Sequence, residues 1–308
     1  MQKNSRIVKA VVGILKNTKG EILIAERRLD QFMAGYWELP GGKIEIGESN
    51  KESLVRELKE ELGVEVQQSH LMHTMCHHYK EKVVYLWIYT IDDFDGEAKG
   101  VEGQNITWCA TARLNDFNLL PTMKAIIHKI CLPGWYWITP EAAENSLIES
   151  LKSQLNNGCK LIQLRAKTPL QTAFIEHSYR MCQDANAKLI LNTPNKTFTE
   201  PCDGWHLTTN ELLSLSKRPC ALDKLLGAST HNTNEVKYAE TIDVDYISIA
   251  PVEATQSHPD SAPLGGEKAK ELVETSNLPV YLLGGMSVKN LQRARSLNAQ
   301  GIAGISQV

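Results

Sequence analysis

No apolar run in this 308-residue chain is long enough to cross a bilayer, so the sequence offers no transmembrane helix. Its first stretch, MQKNSRIVKAVVGILKN, carries charge inside a short apolar run and has no small-residue cleavage site. It therefore does not read as a signal peptide. The seven cysteines are scattered, odd in number and free of any CxxC pair, which speaks against a disulfide framework or a zinc site and suits buried thiols in a reducing cytoplasm. A cytoplasmic location without a membrane partner is the expectation. Positive charge is not in excess either. With a net charge of -3 and no basic tail, direct nucleic-acid binding is not expected, whereas a small anionic ligand held by a local metal is compatible.

What is present is an ordinary globular composition, 42% hydrophobic and 22% charged, over a length that favours two domains. Up to about residue 130, strand patterns dominate. RIVKAVVGIL and EILIAERR flank the turn KNTKG and read as a hairpin, and VVYLWIYTI and NITWCA are further strands. One long helix is predicted from Ser49, its candidate cap, to Leu62, stopped by Gly63; LPTMKAIIHKI, 120–130, reads as a closing helix. After CLPGW the rhythm changes. WYWIT, KLIQLR, KLILN, GWHL, LLGAS, DYISIA, PVYLLGG and GIAGIS alternate with segments that can hold helices, giving eight βα steps. A parallel (β/α) barrel is expected, with an open doubly wound sheet as the competing arrangement. The sequence given ends just after the eighth strand, so an eighth helix is expected to be missing or truncated.

Between Gly41 and Val64 the chain crowds Glu45, Glu48, Glu52, Glu57, Glu60 and Glu61. On a helix, Glu57, Glu60 and Glu61 fall at i, i+3 and i+4 and share one face, while Leu54, Leu58 and Leu62 form the stripe that packs it down. Three like charges in one turn repel. The arrangement becomes favourable once divalent cations sit among the oxygens, and Mg²⁺ (or Mn²⁺) prefers carboxylates together with substrate phosphates. Gly41 and Gly42 let the backbone come close enough for a carbonyl to join, and Arg56 can orient a neighbouring carboxylate. The competing interpretation of three acids alone is a solvated glutamate-rich face.

Gly42, five residues, Glu48, seven residues, then Arg56-Glu57-Leu58-Lys59-Glu60-Glu61-Leu62-Gly63-Val64 resembles the Nudix hydrolase signature, a match with chance odds on the order of one in a million at average composition. The likeness extends over about the first 130 residues, through EILIAERR, MAGYWELPGGKIEIGE, LWIY and GVEGQ, to the MutT type. It implies an α/β/α sandwich with a mixed sheet and Mg-dependent hydrolysis of a nucleoside triphosphate, such as 8-oxo-dGTP or dGTP, to monophosphate and pyrophosphate. It further implies Gly41, Glu57, Glu60, Glu61 and Glu102 as metal site, with Arg56 in the catalytic set and either Glu102 or a box glutamate as base. Arg27, Glu38, Leu39 and Pro40 would contact the nucleotide. The family reads the base with an asparagine just before the last helix; here Met123, or Thr122 in a shifted alignment, stands there, and a thioether cannot replace an amide. Trp37, Tyr79 and Tyr85 are candidates for stacking on a base, although strand aromatics more often pack in a core.

The second half resembles thiamine phosphate synthase and the TenI tautomerase over 134–308 and implies a (β/α)8 TIM-type barrel. The expected division is therefore 1–131 and 132–308. By that resemblance Gln163, Arg165 and Lys167 bind pyrimidine and pyrophosphate, Asn192 lies in the magnesium loop, and Gly284, Gly285 and Ser306 belong to a phosphate cradle. Departures accompany the match. Thr193 and Glu211 stand where the synthase has metal-binding aspartates, His258 replaces a loop lysine, and Ala250 replaces the tautomerase histidine. The barrel is thus expected to be catalytically degenerate and to bind at most a thiamine-related phosphate. Two alternatives are a bifunctional enzyme that also makes thiamine phosphate, and a hydrolase of damaged thiamine diphosphate. His206, His231 and the cluster HTMCHHY at 73–79 are read chiefly as structural.

Overall fold

In the computed structural model, residues 6–78, 82–194, 196–254 and 262–305 are described. Tyr79, His258 and Ser306, singled out above, lie outside them. The chain divides into two compact units, Met1–Ile127 and His128–Val308, with the division inside the closing helix.

The first unit contains strands β1 (Arg6–Ile14), β2 (Ile22–Glu26), β3 (Trp37–Glu38), β4 (Gly41–Lys43), β5 (Glu65–His78), β6 (Lys82–Asp95) and β7 (Ile106–Cys109), with helices α1 (Asn50–Leu62) and α2 (Pro121–Cys131). They form a mixed sheet in the order β4-β1-β6-β5, in which only β1 and β6 run parallel, and a second sheet β3-β2-β7. This corrects the expected hairpin. Asn17 and Glu21 do close a tight turn, and Leu23 N–H reaches Leu15 O at 3.1 Å, but β1 and β2 then part into different sheets. The reason is burial: Val11 to Leu15 and Ile22 to Ala25 are buried on successive residues, and a hairpin with one wet face leaves half of each run in water.

Helix α1 starts and stops where its punctuation predicts. Ser49 accepts from Glu52 N–H and the Glu52 carboxylate accepts from Ser49 N–H, while Gly63 ends the helix in the left-handed region at φ 70°. Leu54, Leu58 and Leu62 are fully buried with Val11, Leu15 and Leu23, so the acidic face is turned the other way, over β4.

The second unit is a closed parallel barrel. Its strands are β8 (Trp135–Ile138), β9 (Leu161–Arg165), β10 (Lys188–Asn192), β11 (Gly204–Leu207), β12 (Leu225–Thr230), β13 (Tyr246–Ile249), β14 (Val280–Leu282) and β15 (Gly301–Gly304). Helices α3 (Glu144–Asn156), α4 (Thr172–Asp184), α5 (Thr209–Ser214), α6 (Thr233–Thr241), α7 (Gly265–Thr275) and α8 (Leu291–Ser296) alternate with them. Pairing of β15 with β8 closes the ring and rules out the open sheet. The interior is filled by Tyr136, Ile138, Leu161, Ile190, Tyr246 and Tyr281, so the barrel is a packed core rather than a pore.

Candidate functional site: an acidic cleft and a barrel mouth

A cleft of about 810 Å³ opens beside α1 in the first unit. One end is acidic, with Glu57, Glu60, Glu61 and Glu102 lining it together with Gly41, Gly42 and Arg56. Its floor is apolar, from Val8 and Ala10 of β1 and Val84 and Leu86 of β6, paired Val8 to Val84 and Ala10 to Leu86. The register carries the floor from Val12, beside Gly41, to Arg6, opposite Lys82; six residues of strand make that span roughly 20 Å.

The glycine pair sets the acidic end. Gly41 has φ +142°, and a Cβ there would run into the Val11 carbonyl; its N–H donates to Glu61 Oε2 at 2.8 Å. At Gly42 a Cβ would fall inside the Glu57 carboxylate, so the missing side chain is the space that Glu57 occupies. Arg56 is the organiser: it donates to Glu48 at 2.6 and 2.9 Å, to Glu57 at 2.9 Å, to Glu60 at 3.0 Å and to the Lys43 carbonyl at 3.1 Å. Glu102 is held at the edge by Arg28 at 3.2 Å.

Electrostatic strain is concentrated at one residue. Burial, opposed by the Gly41 N–H and reinforced by Glu38, Glu57 and Glu102, pushes the Glu61 carboxyl up to about 8. Glu57 is also raised, by burial first, against the pull of Arg56. Glu48, by contrast, is lowered to about 2 by its hydrogen bonds from Arg56. Along the cleft, Arg27 pairs with the Glu38 carboxylate, whose pKa burial nonetheless raises, and the Lys82 ammonium lies 4.2 Å from the Phe32 ring centroid.

From the barrel interior to the carboxyl end of its strands a different polar set appears. Gln163 is buried and donates to Tyr136 Oη at 2.7 Å while accepting from Asn192 Nδ2 at 3.0 Å. Tyr136 and Tyr246 hydroxyls meet at 2.9 Å, and His206 contacts Ser229 Oγ at 3.0 Å. Burial first, then Lys196 and Arg165, lowers His206 to about 3, so its ring is neutral. Lys167 is on the surface, paired with Glu141 at 2.7 Å, and His231 is exposed and engaged with Glu235 at 3.1 Å. Gly284 and Gly285 take φ +95° and +68°, with Gly284 pressed against Pro251.

The NUDIX domain model matches residues 6–130, and the thiamine monophosphate synthase model matches residues 135–308. Over 119 residues the chain is 36% identical to the 8-oxo-dGTP diphosphatase of Escherichia coli (strain K12), covering 39% of this chain and 92% of that protein. Over 185 residues it is 31% identical to a putative thiamine-phosphate synthase 2 of Aquifex aeolicus (strain VF5), covering 57% of this chain and 97% of that one. The chain belongs to both families: the Nudix hydrolases and the thiamine monophosphate synthases. A third relative, the CTP pyrophosphohydrolase of Escherichia coli (strain K12), is 32% identical over 116 residues, covering 38% of this chain and 85% of that protein.

In the Nudix unit the cleft brings together Gly41, Gly42, Arg56, Glu57, Glu60 and Glu61 of the signature stretch, along with Glu102, Arg27, Glu38, Leu39 and Met123. Pro40 is not among the cleft residues, and its carbonyl accepts from Gly13 N–H at 2.9 Å. The stacking aromatics are corrected: neither Trp37 nor Tyr85 lines the cleft. Trp37 packs edge-on against Phe117 with ring centroids 5.0 Å apart, and Tyr85 alternates to the face opposite Val84 and Leu86. Phe32 and Lys82 line it instead, and neither carries a signal along the chain beyond a loop and a strand start. Glu48, present in the signature but unassigned above, is the main anchor of Arg56.

The Nudix cluster suits a divalent cation: hard carboxylate oxygens, two of them on groups with raised pKa, face one another where a positive charge relieves the repulsion. Among the described residues no three such side chains are already disposed as a metal cage, because Arg56 ties Glu57 and Glu60. The barrel's Asn192 and Glu211 are a different matter. Glu211 accepts from Thr208 N–H at 2.7 Å and from Lys196 Nζ at 2.6 Å, so both of its oxygens are committed, and Thr193 adds only a hydroxyl. That set does not fit magnesium.

Proposed function

We propose that the Nudix unit is a magnesium-dependent pyrophosphohydrolase that cleaves a nucleoside triphosphate of the 8-oxo-dGTP or dGTP kind to nucleoside monophosphate and pyrophosphate. The observation that carries this reading is the pair of half-buried, like-charged carboxyls Glu57 and Glu61, with Glu102 at their exposed edge, at one end of a cleft whose floor is apolar. Bound Mg²⁺ supplies charge neutralisation, for these carboxylates and for phosphate oxygens alike. The chain's own residues do the rest. Gly41 N–H fixes the Glu61 carboxylate, and Arg56 fixes Glu57 and Glu60 on the helix face. Arg28 keeps Glu102 at the solvent edge, where a water proton can be accepted by it or by a box glutamate. Val8, Ala10, Val84 and Leu86 offer a dry surface to the base, and Met123 lies where an amide would otherwise read it. The companion barrel, on this reading, no longer condenses thiazole and pyrimidine phosphates and retains a site for a phosphorylated small molecule.

The test is release of pyrophosphate from 8-oxo-dGTP, dGTP and CTP, and of orthophosphate from thiamine diphosphate, by the purified full chain. Release from a nucleotide under Mg²⁺, lost in EDTA and in Glu57→Gln, is expected. Preferential turnover of thiamine diphosphate, or full activity in Glu57→Gln, sinks the reading.

A further inference from the structure

The barrel carries its own cation where the family resemblance calls for a divalent metal. Lys196 follows β10 at the carboxyl end of the strands, and its side chain is only 3% exposed. Its ammonium donates to Glu211 Oε1 at 2.6 Å, and no other partner is recorded for it among the described residues. An ammonium has three donors, so two remain to be filled in a place almost shut off from water. Glu211 cannot take a metal in addition, since its second oxygen closes the capping box of α5 on Thr208 N–H and Oγ1, at 2.7 and 2.9 Å. Although burial pushes the Glu211 carboxyl up, the hydrogen bonds from Lys196 and Thr208 outweigh it and leave its pKa lowered. A divalent ion there would sit against a fixed ammonium and displace both bonds.

The rest of the mouth adds positive charge without adding ligands for a metal. Arg165 ends β9 beside Asn192 of β10; its guanidinium has no ion-pair partner among the described residues, and both Arg165 and Lys196 act on the buried, neutral His206. The Asn192 amide is turned onto Gln163. Among the described residues, the polar groups named here thus comprise a guanidinium without an ion-pair partner, a buried ammonium with unfilled donors and a carboxylate whose two oxygens are both committed.

We propose that the barrel mouth is a metal-independent anion site, in which Lys196, locked on Glu211, stands in place of a divalent cation and, with Arg165, binds the phosphate of a small phosphorylated molecule. The proposal rests on the reading of the barrel as a binding domain without synthase chemistry.

The experiment is calorimetric titration of the full chain with inorganic pyrophosphate in EDTA and again in Mg²⁺. Binding in EDTA is expected, weakened roughly tenfold or more in Lys196→Met and in Arg165→Met, as loss of a charge-assisted contact predicts. Lys196→Arg is expected to retain most of the binding. Because Lys196→Met leaves Glu211 half-buried without its partner, the double variant Lys196→Met/Glu211→Gln is measured alongside it; it removes both charges and is expected to keep the parent's near-ultraviolet circular dichroism while still failing to bind. No binding without Mg²⁺, or binding in EDTA that survives both Lys196→Met and Arg165→Met, overturns the proposal. Binding that needs Mg²⁺ and vanishes in Glu57→Gln overturns it while leaving the Nudix reading intact. Formation of thiamine phosphate from its two precursors would instead remove the reading on which it rests.

Discussion

Replacing Glu61 by glutamine should stabilise the Nudix unit while destroying its activity, and the size of the effect follows from the site. The Glu61 carboxyl sits at about 8, against an ordinary 4.5. At about 1.4 kcal/mol per pH unit, the folded state is disfavoured by on the order of 3 kcal/mol at pH 7, where Glu61 holds a proton that the unfolded chain releases, and by nearly 5 kcal/mol above pH 8, where it must ionise in place. The folded pKa is the higher one, so this group's favourable contribution is complete below pH 4.5 and is lost as the pH climbs towards 8. Glutamine keeps the shape and still accepts from Gly41 N–H, so only the ionisation is removed. Urea unfolding in EDTA, with hydrogen exchange of the α1 peptides isolating this unit from the barrel, is the assay. The variant should exceed the parent by roughly 3 kcal/mol at pH 7, and the difference should shrink to almost nothing at pH 4. Mg²⁺ should stabilise the parent more than the variant, because a cation relieves the same repulsion. A difference that does not change with pH, or a variant less stable than the parent at pH 8, refutes the argument.

Three further outcomes are expected. Gly42→Ala places a methyl group where the Glu57 carboxylate lies, and should cut kcat by about a hundredfold with little change in KM; steady-state kinetics checks this, and unaltered kcat would show that Glu57 has room to work elsewhere. Arg56→Lys replaces a planar fork that reaches Glu48, Glu57 and Glu60 by a point charge, and should lower kcat by tenfold or so while the mean exchange protection of α1 is kept. In the barrel, Asp245→Ala strips the partner from Arg218, which lies 2.7 Å away and is 8% exposed, and should destabilise that unit by roughly 3–5 kcal/mol in chemical denaturation, with pyrophosphohydrolase turnover per folded molecule unchanged.

Much of this protein was legible because its signals are local. The capping box at Ser49 and Glu52, the glycine stop at Gly63 and the four-residue leucine spacing fix α1 within one stretch of chain, and the i, i+3, i+4 glutamates follow from helix geometry alone. Eight apolar runs separated by helix-length segments likewise fixed the order of the barrel strands. Partner choice was not legible in the same way. The turn at Asn17 to Glu21 looks like a hairpin because turn chemistry is local, whereas the separation of β1 and β2 into two sheets depends on burying both faces of each.

The sequence by itself therefore determined the two folds, the acidic helix and the residues that answer to the Nudix signature, since each is written in short-range spacing and punctuation. Only the tertiary structure decided that Phe32 and Lys82, rather than Trp37 and Tyr85, line the cleft, that Glu61 is the strained carboxyl, and that Lys196 rests on Glu211. These depend on which faces are shut off from water and which charges are brought together across distant segments, and desolvation of that kind has no signature along the chain.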